Sequence, residues 1–245
     1  MANFIIDIGN SFTKLAVFRH GKIQEVKQVE YPETTYLEEM NSRQPDLEHA
    51  ILSSVNIVDP DLLRYLEERF TRFIHLDENT PLPIKNLYRT KDTLGKDRIA
   101  AAVGANNIFP GSNVLVIDAG TALTFELVTA DNQYIGGNIS PGLRMRFKAL
   151  HQNTEYLPLL SEKTGFMILG NSTEDAIVSG IQQGMILEID GFISLMKKKY
   201  RDLKVVLTGG DCNFFDKKLK SSIFVNQNLI LAGLDRILTY NVTKR

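Results

Sequence analysis

FIIDIGNSFTKLAVF (residues 4–18) and VLVIDAGTALTFELV (residues 114–128) are two similar stretches of this chain. Each reads as an apolar strand that ends in an acid, one further residue and a glycine, followed by a short polar turn and a second strand. An ungapped alignment matches four pairs of positions: Asp7 with Asp118, Gly9 with Gly120, Asn10 with Thr121 and Thr13 with Thr124. A repeat at a fixed offset indicates repeated architecture. We therefore predict two similar domains, residues 1–113 and 114–245.

The rest of each half alternates between strand and helix patterns. Further strands are predicted at residues 23–31, 49–55, 72–76, 131–139 and 204–210. Helices are predicted at residues 60–70, 96–109, 142–152, 173–200 and 229–241. Strands that first form a meander and then alternate with helices indicate a mixed sheet flanked by helices. The predicted fold class is α/β, with two duplicated domains and a cleft between them.

Composition narrows the class of protein. Hydrophobic residues make up 43% of the 245 residues, charged residues 23%, and the formal net charge is −1. This is the balance of an ordinary globular protein, without the basic excess that marks a nucleic-acid surface. No apolar run reaches the length of a membrane span, no signal-peptide pattern opens the chain, and the single cysteine, Cys212, fits a reducing compartment. We expect a cytoplasmic protein that binds neither nucleic acid nor membrane.

The two polar turns have the composition of phosphate sites. The sequence contains neither GxxxxGK[ST] nor GxGxxG, which argues against the commonest nucleotide-binding folds. Small residues in a hairpin turn let backbone amides, hydroxyl groups and a lysine approach phosphate oxygens instead. Phosphate would repel an acid at the head of such a turn unless a cation lay between them, so we predict that Asp7 holds Mg²⁺ through water. The predicted ATP contacts are Asp7, Ile8, Gly9, Asn10, Ser11, Phe12, Thr13, Lys14 and Thr121.

Paired acid-x-Gly hairpins in duplicated ribonuclease-H-like halves resemble the actin and sugar-kinase superfamily. More specifically, DIGNSFTK, LGKDR, DAGTALT, GGNISPGL and VLTGGD, in that order, resemble the motifs of the type III pantothenate kinases. The resemblance extends from Asp7 to about Asp211. It implies ATP-dependent phosphorylation of pantothenate to 4′-phosphopantothenate, the first step of coenzyme A biosynthesis. The chain departs from the family at Lys96, where a small residue usually precedes the Asp-Arg pair.

The GKDR motif carries the residues that the resemblance assigns to catalysis. Asp97 resembles the family's catalytic base, which accepts the proton of the attacking alcohol. Arg98 resembles the residue that grips the carboxylate of pantothenate, a natural partner for a guanidinium group. Taken without the family, Asp97 could simply cap a helix and Arg98 could form a surface ion pair of little energetic value.

The resemblance also implies a wider set of binding residues. The substrate-binding set is Tyr88, Gly95, Lys96, Asp97, Arg98 and Thr173. The alternative for Tyr88 is a half-buried core tyrosine, and the alternative for Thr173 is a helix N-cap. Gly209 and Gly210 resemble the glycines over which the nucleotide base lies, although a tight turn between strand and helix also explains them.

Asp118 resembles the ligand of a monovalent cation, potassium or ammonium, in this family. The ungapped alignment places Phe125 where the first hairpin has Lys14, so the second hairpin lacks that positive charge. In the family this ion lies near a subunit boundary, which implies a homodimer. The alternative is that Asp118 only caps its own turn.

Two other functions remain open at this point. One is a kinase for another small alcohol, and the other is a nucleotide-binding transcriptional regulator of the same fold without kinase turnover. A regulator has no need of a base, so the presence of Asp97 and Arg98 favours an active kinase.

Overall fold

The computed structural model describes residues 2–32, 34–44 and 46–244. Up to residue 111 the elements in chain order are β1 (Ala2–Ile8), β2 (Thr13–Arg19), β3 (Lys22–Val29), α1 (Thr34–Arg43), β4 (Leu47–Ser54), α2 (Pro60–Arg69), β5 (Arg72–His75), β6 (Lys85–Asn86), a 3-10 turn (Lys91–Thr93) and α3 (Lys96–Ile108). They are followed by β7 (Val114–Ala119), β8 (Ala122–Val128), β9 (Gln133–Pro141), α4 (Leu143–Gln152), α5 (Thr173–Lys199), β10 (Lys204–Thr208), α6 (Cys212–Asp216), β11 (Phe224–Val225) and α7 (Leu229–Thr243).

The first sheet has the strand order β3-β2-β1-β4-β5, with β1 antiparallel to β2 and parallel to β4. All seven residues of β1 are buried, because this central strand is covered on both faces. Phe4, Ile6 and Ile8 join the apolar core on one face. Asn3 and Asp7 lie on the opposite face, since side chains alternate along a strand. The sequence therefore places a carboxylate near the end of a buried central strand.

The second sheet repeats this arrangement. Its six strands have the order β6-β9-β8-β7-β10-β11, and the five from β9 to β11 match the first sheet strand for strand, with β7 antiparallel to β8 and parallel to β10. This confirms the predicted mixed sheet and the duplication on which it rests. The two-residue strand β6 pairs in parallel with Gln133 and Tyr134 at the start of β9.

The two hairpins differ by one residue in their turns. Asn10 and Ser11 lie between the bonded pair Gly9 and Phe12, whereas only Thr121 lies between Gly120 and Ala122. As a result Lys14 faces Asp7 across the first hairpin, and Thr124 faces Asp118 across the second. The ungapped alignments of Lys14 with Phe125 and of Thr13 with Thr124 are therefore wrong by one position. The inference that the second hairpin lacks the lysine is unchanged.

The chain divides into two compact units, and each is built from segments that are not consecutive in sequence. The first unit comprises Met1–Gly111, Asp131–Ile135 and Asn228–Arg245, and the second comprises Ser112–Ala130 and Gly136–Gln227. The sequence-based division into residues 1–113 and 114–245 differs in assigning α7 and the β8–β9 turn to the second domain.

Helix α7 packs against α3 within the first unit. The two helices approach so closely at Gly104 and Gly233 that a Cβ atom at either position would overlap with backbone of the other helix. Asn3 on β1 also donates a hydrogen bond to Asp235 on α7 over 2.7 Å, and both residues are buried. These contacts explain why the end of the chain returns to the first unit.

The five helices predicted from sequence are confirmed, with ends that agree to within about two residues. Helices α1 and α6 were not predicted. In the described part of the chain, no helix is long and apolar enough to cross a membrane.

Candidate active site

Asp7 is the buried acid of the first hairpin. It lies next to Ser53 on β4 and opposite Lys14 on β2, in the registers that pair these strands. Burial, and to a smaller extent repulsion from Asp97, raise the pKa of Asp7 to about 6, although Ser53 and Lys14 act in the opposite direction. The structure therefore brings Asp7 and Asp97 into electrostatic contact, although they are far apart in sequence.

The turn beyond Asp7 is short and open. The Gly9 amide donates to the Phe12 carbonyl over 3.1 Å. The side-chain amide of Asn56 donates to the Gly9 carbonyl over 3.2 Å. Ser11 is exposed, whereas Thr13 is fully buried and its hydroxyl has no hydrogen-bond partner within the described residues. Of the two predicted hydroxyl donors in this turn, only Ser11 faces solvent.

Asp97 lies in the first turn of α3, where Gly95 is the N-cap residue. Its Oδ1 atom accepts a hydrogen bond from the Arg98 amide over 2.8 Å. A Cβ atom at position 95 would lie 2.5 Å from that oxygen, so a glycine there leaves room for the carboxylate. Asp97 thus satisfies one of the amides at the helix start while its side chain stays partly exposed.

Arg98 is buried, with only 7% of its surface exposed. Its guanidinium carbon lies 5.6 Å from the centre of the Tyr88 ring, within the range of a cation–π interaction. Its Nη2 atom donates to the Tyr134 hydroxyl over 3.5 Å, and the two tyrosine rings are 6.1 Å apart. The surface position considered for Arg98 is therefore wrong: the side chain is buried, with Tyr88 and Tyr134 beside it.

Lys96 pairs with Glu78, with 3.4 Å between Nζ and Oε2. The Lys96 side chain is largely buried and the Glu78 side chain is more exposed. Glu78 follows Asp77, whose carboxylate accepts hydrogen bonds from the amides of Asn79 and Thr80 and so holds this turn. The departure from the family at Lys96 is accommodated by an acid on a neighbouring, hydrogen-bonded turn.

Asp118 is the counterpart of Asp7 in the second unit. Gly209 has φ +93° and packs so closely that a Cβ atom there would overlap with the Asp118 carboxylate and the Ala119 carbonyl oxygen. The adjacent Gly210 faces open space. Burial raises the pKa of the Cys212 thiol, which follows this turn, so the cysteine is not activated as a nucleophile.

Thr173 is the exposed first residue of α5, in the second unit. The N-cap of this helix is Ser172, whose hydroxyl accepts from the Asp175 amide over 3.1 Å. The alternative that Thr173 itself caps the helix is therefore wrong, because the preceding serine does so.

Comparison with known proteins gives the family. The sequence profile of the type III pantothenate kinase family matches residues 3–195. The chain is 48% identical to a type III pantothenate kinase of Phocaeicola vulgatus over 98% of both chains, and 45% identical to one of Christiangramia forsetii over 99% of this chain and 100% of that one. The chain belongs to the type III pantothenate kinase family.

Solved structures similar to this pantothenate kinase family member agree on the fold. A putative Baf family transcriptional activator from Campylobacter jejuni superimposes with a TM-score of 0.62 at 22% identity, covering 98% of both chains. The ROK hexokinase of Thermus thermophilus gives 0.56 at 13% identity, covering 99% of this chain and 100% of that one. At such identities the likeness concerns the fold alone, which is that of the actin-like ATPases and sugar kinases.

In this pantothenate kinase family member, the predicted site residues divide between the units. The first unit brings together Asp7, Lys14, Tyr88, Gly95, Lys96, Asp97 and Arg98. The second unit contains Asp118, Thr121, Thr173, Gly209 and Gly210. Among the described residues, no group of three or more His, Cys, Asp or Glu side chains is arranged to hold a metal ion.

Three neighbours of this site were not predicted from sequence: Ser53, Glu78 and Tyr134. Ser53 lies one residue before the end of β4, a buried strand parallel to β1, so strand order alone could have indicated it. Tyr134 lies in the YIGG segment that was read only as the second arm of a hairpin. Its proximity to Arg98 depends on the tertiary structure, and no local pattern signals it.

Proposed function

We propose that this chain transfers the γ-phosphoryl group of ATP to the primary hydroxyl of pantothenate, giving 4′-phosphopantothenate and ADP. One observation carries the proposal. Within the first unit the Asp7 hairpin, the Asp97 carboxylate and the buried Arg98 are neighbours, which supplies a phosphate site, a base and an anion site in one place. Pantothenate needs the last two, because it carries an alcohol at one end and a carboxylate at the other.

Asp97 acts as the general base. As the hydroxyl oxygen of pantothenate bonds to the γ-phosphorus, its proton passes to Asp97 and the bond to the β-phosphate oxygen of ATP breaks. The carboxylate is partly exposed and is held by the Arg98 amide, so one oxygen is oriented while the side chain can reach substrate. Gly95 supports this role because a side chain there would displace the carboxylate.

Asp7 and Lys14 bind the triphosphate together with residues 8–12 of the first hairpin and Thr121 of the second. Thr13 is left out of this set because its side chain is fully buried. The buried Asp7 carboxylate fits a divalent cation, since a positive charge would offset both its burial and its repulsion from Asp97. We assign Mg²⁺, held through water, because magnesium binds through one or two carboxylates together with substrate phosphates. When bound, the ion neutralises charge on the phosphates. Lys14 adds a point charge on the adjacent strand.

Arg98 binds the carboxylate of pantothenate, with Tyr88 beside it. A buried guanidinium is poorly hydrated, so an anionic partner gains more there than at the surface. Gly95 and Lys96 lie just before Asp97 at the start of α3, and Thr173 is the remaining residue of the proposed substrate-binding set.

A monovalent cation at Asp118, potassium or ammonium, is part of the proposal. The Asp118 carboxylate and the Ala119 carbonyl oxygen converge on the Gly209 turn, and oxygens of these two kinds suit a large, weakly hydrated ion. We also propose a homodimer. The exposed apolar side chains Leu187 and Leu195 on α5, both 59% exposed, support an interface on the second unit.

Two variants test the assignment of roles. Asp97→Asn keeps the size of the side chain but cannot accept the proton, so turnover should fall about 10²–10⁴-fold while ATP binding persists. Arg98→Ala should raise the KM for pantothenate far more than the KM for ATP. Near-normal turnover by Asp97→Asn, or an equal rise in both KM values for Arg98→Ala, contradicts the proposal. A protein that binds ATP but never consumes it with pantothenate would instead be a regulator.

A further inference from the structure

We propose that Tyr134 is a positioning residue for the acceptor substrate, acting through Arg98. The inference rests on the proposed function, in which Arg98 binds the carboxylate of pantothenate. Tyr134 is fully buried, so its hydroxyl meets Arg98 inside the first unit and does not itself face solvent. The Nη2 atom of Arg98 donates to that hydroxyl over 3.5 Å.

The contact matters because of the geometry of a guanidinium group. Its five N–H donors lie in one plane, so a hydrogen bond that holds one donor also restricts the directions of the others. The Tyr88 ring, 5.6 Å from the guanidinium carbon, limits the position of the group from one side. Contact with the face of a ring still allows the guanidinium group to rotate within its own plane. A hydrogen bond to the Tyr134 oxygen, by contrast, favours one direction of the donor. Tyr134 therefore adds a directional contact to Arg98 that the ring face of Tyr88 does not supply.

The backbone around Tyr134 is held firmly enough for this task. The Lys85 amide donates to the Asn132 carbonyl over 2.8 Å, and the Leu87 amide donates to the Tyr134 carbonyl over 3.0 Å. The Asn106 side chain on α3 donates to the Asn132 side chain over 2.8 Å. The turn between β8 and β9 is thus bonded both to the segment that leads to Tyr88 and to the helix that carries Arg98.

The folding of the chain gives a second reason to assign Tyr134 to the site. Residues 131–135 belong to the first unit although β8 and the rest of β9 belong to the second. This short segment brings only one large aromatic side chain to the first unit, and that ring lies beside Arg98 and Tyr88. The placement is explained if the segment supplies part of the acceptor site.

Tyr134→Phe removes the hydroxyl and keeps the ring. We expect the KM for pantothenate to rise about three- to tenfold, which is the range for an ordinary hydrogen bond, because the length of this one offsets the charge of its donor. The KM for ATP, kcat and the melting temperature should each change little. Tyr36→Phe is the matched control, because it deletes the same atom from a ring that also lies beneath a cation, Lys27 at 4.3 Å, away from Arg98.

The combination with Arg98→Ala separates this inference from the proposed function. If Tyr134 acts through Arg98, Tyr134→Phe should have no further effect on the pantothenate KM in the Arg98→Ala background. A Tyr134→Phe enzyme that behaves like Tyr36→Phe overturns the inference while Arg98→Ala still upholds the proposed function. Equal losses for both substrates with a lower melting temperature also overturn it, because they mark a purely structural role. An unchanged pantothenate KM in Arg98→Ala overturns the proposed carboxylate site and the inference with it.

Discussion

Asp7→Asn is expected to stabilise the ligand-free protein at neutral pH while removing its ability to use MgATP. The physical reason is that the protein buries a carboxylate beside a second carboxylate, which disfavours the ionised form. Asparagine has nearly the same size and no charge to bury. The loss of activity follows because a neutral amide cannot hold the divalent cation that we assign to this position.

The size of the effect follows from the pKa. The pKa of Asp7 rises from 3.8 to about 6 on folding. At about 1.4 kcal/mol per pKa unit, burying the ionised form lowers the free energy of unfolding by roughly 3 kcal/mol at neutral pH. The amide must itself be accommodated, so we expect a net gain of about 1–3 kcal/mol, or roughly 2–12 °C in melting temperature for a chain of this size.

The same pKa fixes the sign of the pH dependence. Between about pH 4 and pH 6 the folded protein binds a proton at Asp7 that the unfolded chain has already released. This group therefore stabilises the wild-type protein below that range, and its contribution is lost as the pH rises through about 6. In Asp7→Asn that part of the pH dependence should be absent.

Thermal unfolding in a metal chelator at pH 5 and pH 7.5 measures both effects. Asp77→Asn is a control of opposite sign: hydrogen bonds from Thr80 and Asn79 lower the pKa of Asp77, so its replacement should destabilise the protein at neutral pH. A second series with MgATP should stabilise the wild type and not Asp7→Asn. An Asp7→Asn protein that melts at or below the wild-type temperature at pH 7.5, or that keeps the wild-type pH dependence, refutes the reasoning.

Three further predictions concern packing, the nucleotide and the cation. Gly233→Ala forces a methyl group against the Ala100 carbonyl and should lower the free energy of unfolding by about 1–3 kcal/mol or more. Gly180→Ala, in open space on α5, should instead raise it by about 0.5–1 kcal/mol. Equal effects of the two variants would show that the α3–α7 contact is unimportant. Gly210→Ala should leave the melting temperature nearly unchanged but raise the KM for ATP, because the new methyl group enters the open space where the family resemblance places the nucleotide base. Gly209→Ala should also destabilise the protein, because its φ is +93°. Activity should be higher in potassium than in sodium at matched ionic strength, and Asp118→Ala should remove the difference. Sedimentation of the wild-type protein should show a dimer. Equal rates in both salts from a monomeric protein contradict this prediction.

Much of the fold could be predicted because its determinants are local. Each strand-turn-strand unit appears as a continuous pattern around Asp7 and Asp118, and the repeat of that pattern gives the duplication. The ungapped alignment failed by one position because the turn at Thr121 is one residue shorter than the turn at Asn10 and Ser11. Turn length changes which residues face each other without changing the motif that identifies the hairpin.

The parts that could not be predicted depend on contacts between residues distant in sequence. Helix α7 was recognised as a helix, but its packing on α3 depends on Gly104 and Gly233, and a lone helix glycine has no local signature of close approach. Arg98 was recognised through its motif, but its contacts with Tyr88 and Tyr134 depend on the β8–β9 turn lying beside β6. The candidate site residues were therefore easier to recognise from sequence than the residues that surround them.

The central claim is tested most directly by identifying the product. Purified protein, ATP, Mg²⁺ and potassium are incubated with pantothenate or with each of several other small alcohols, and ADP and phosphorylated products are measured by mass spectrometry. We predict one 4′-phosphopantothenate for each ADP, no comparable product from the other alcohols, and a rate about 10²–10⁴-fold lower for Asp97→Asn. A folded, ATP-binding protein that forms no 4′-phosphopantothenate, or an Asp97→Asn variant that forms it at the wild-type rate, would contradict the account.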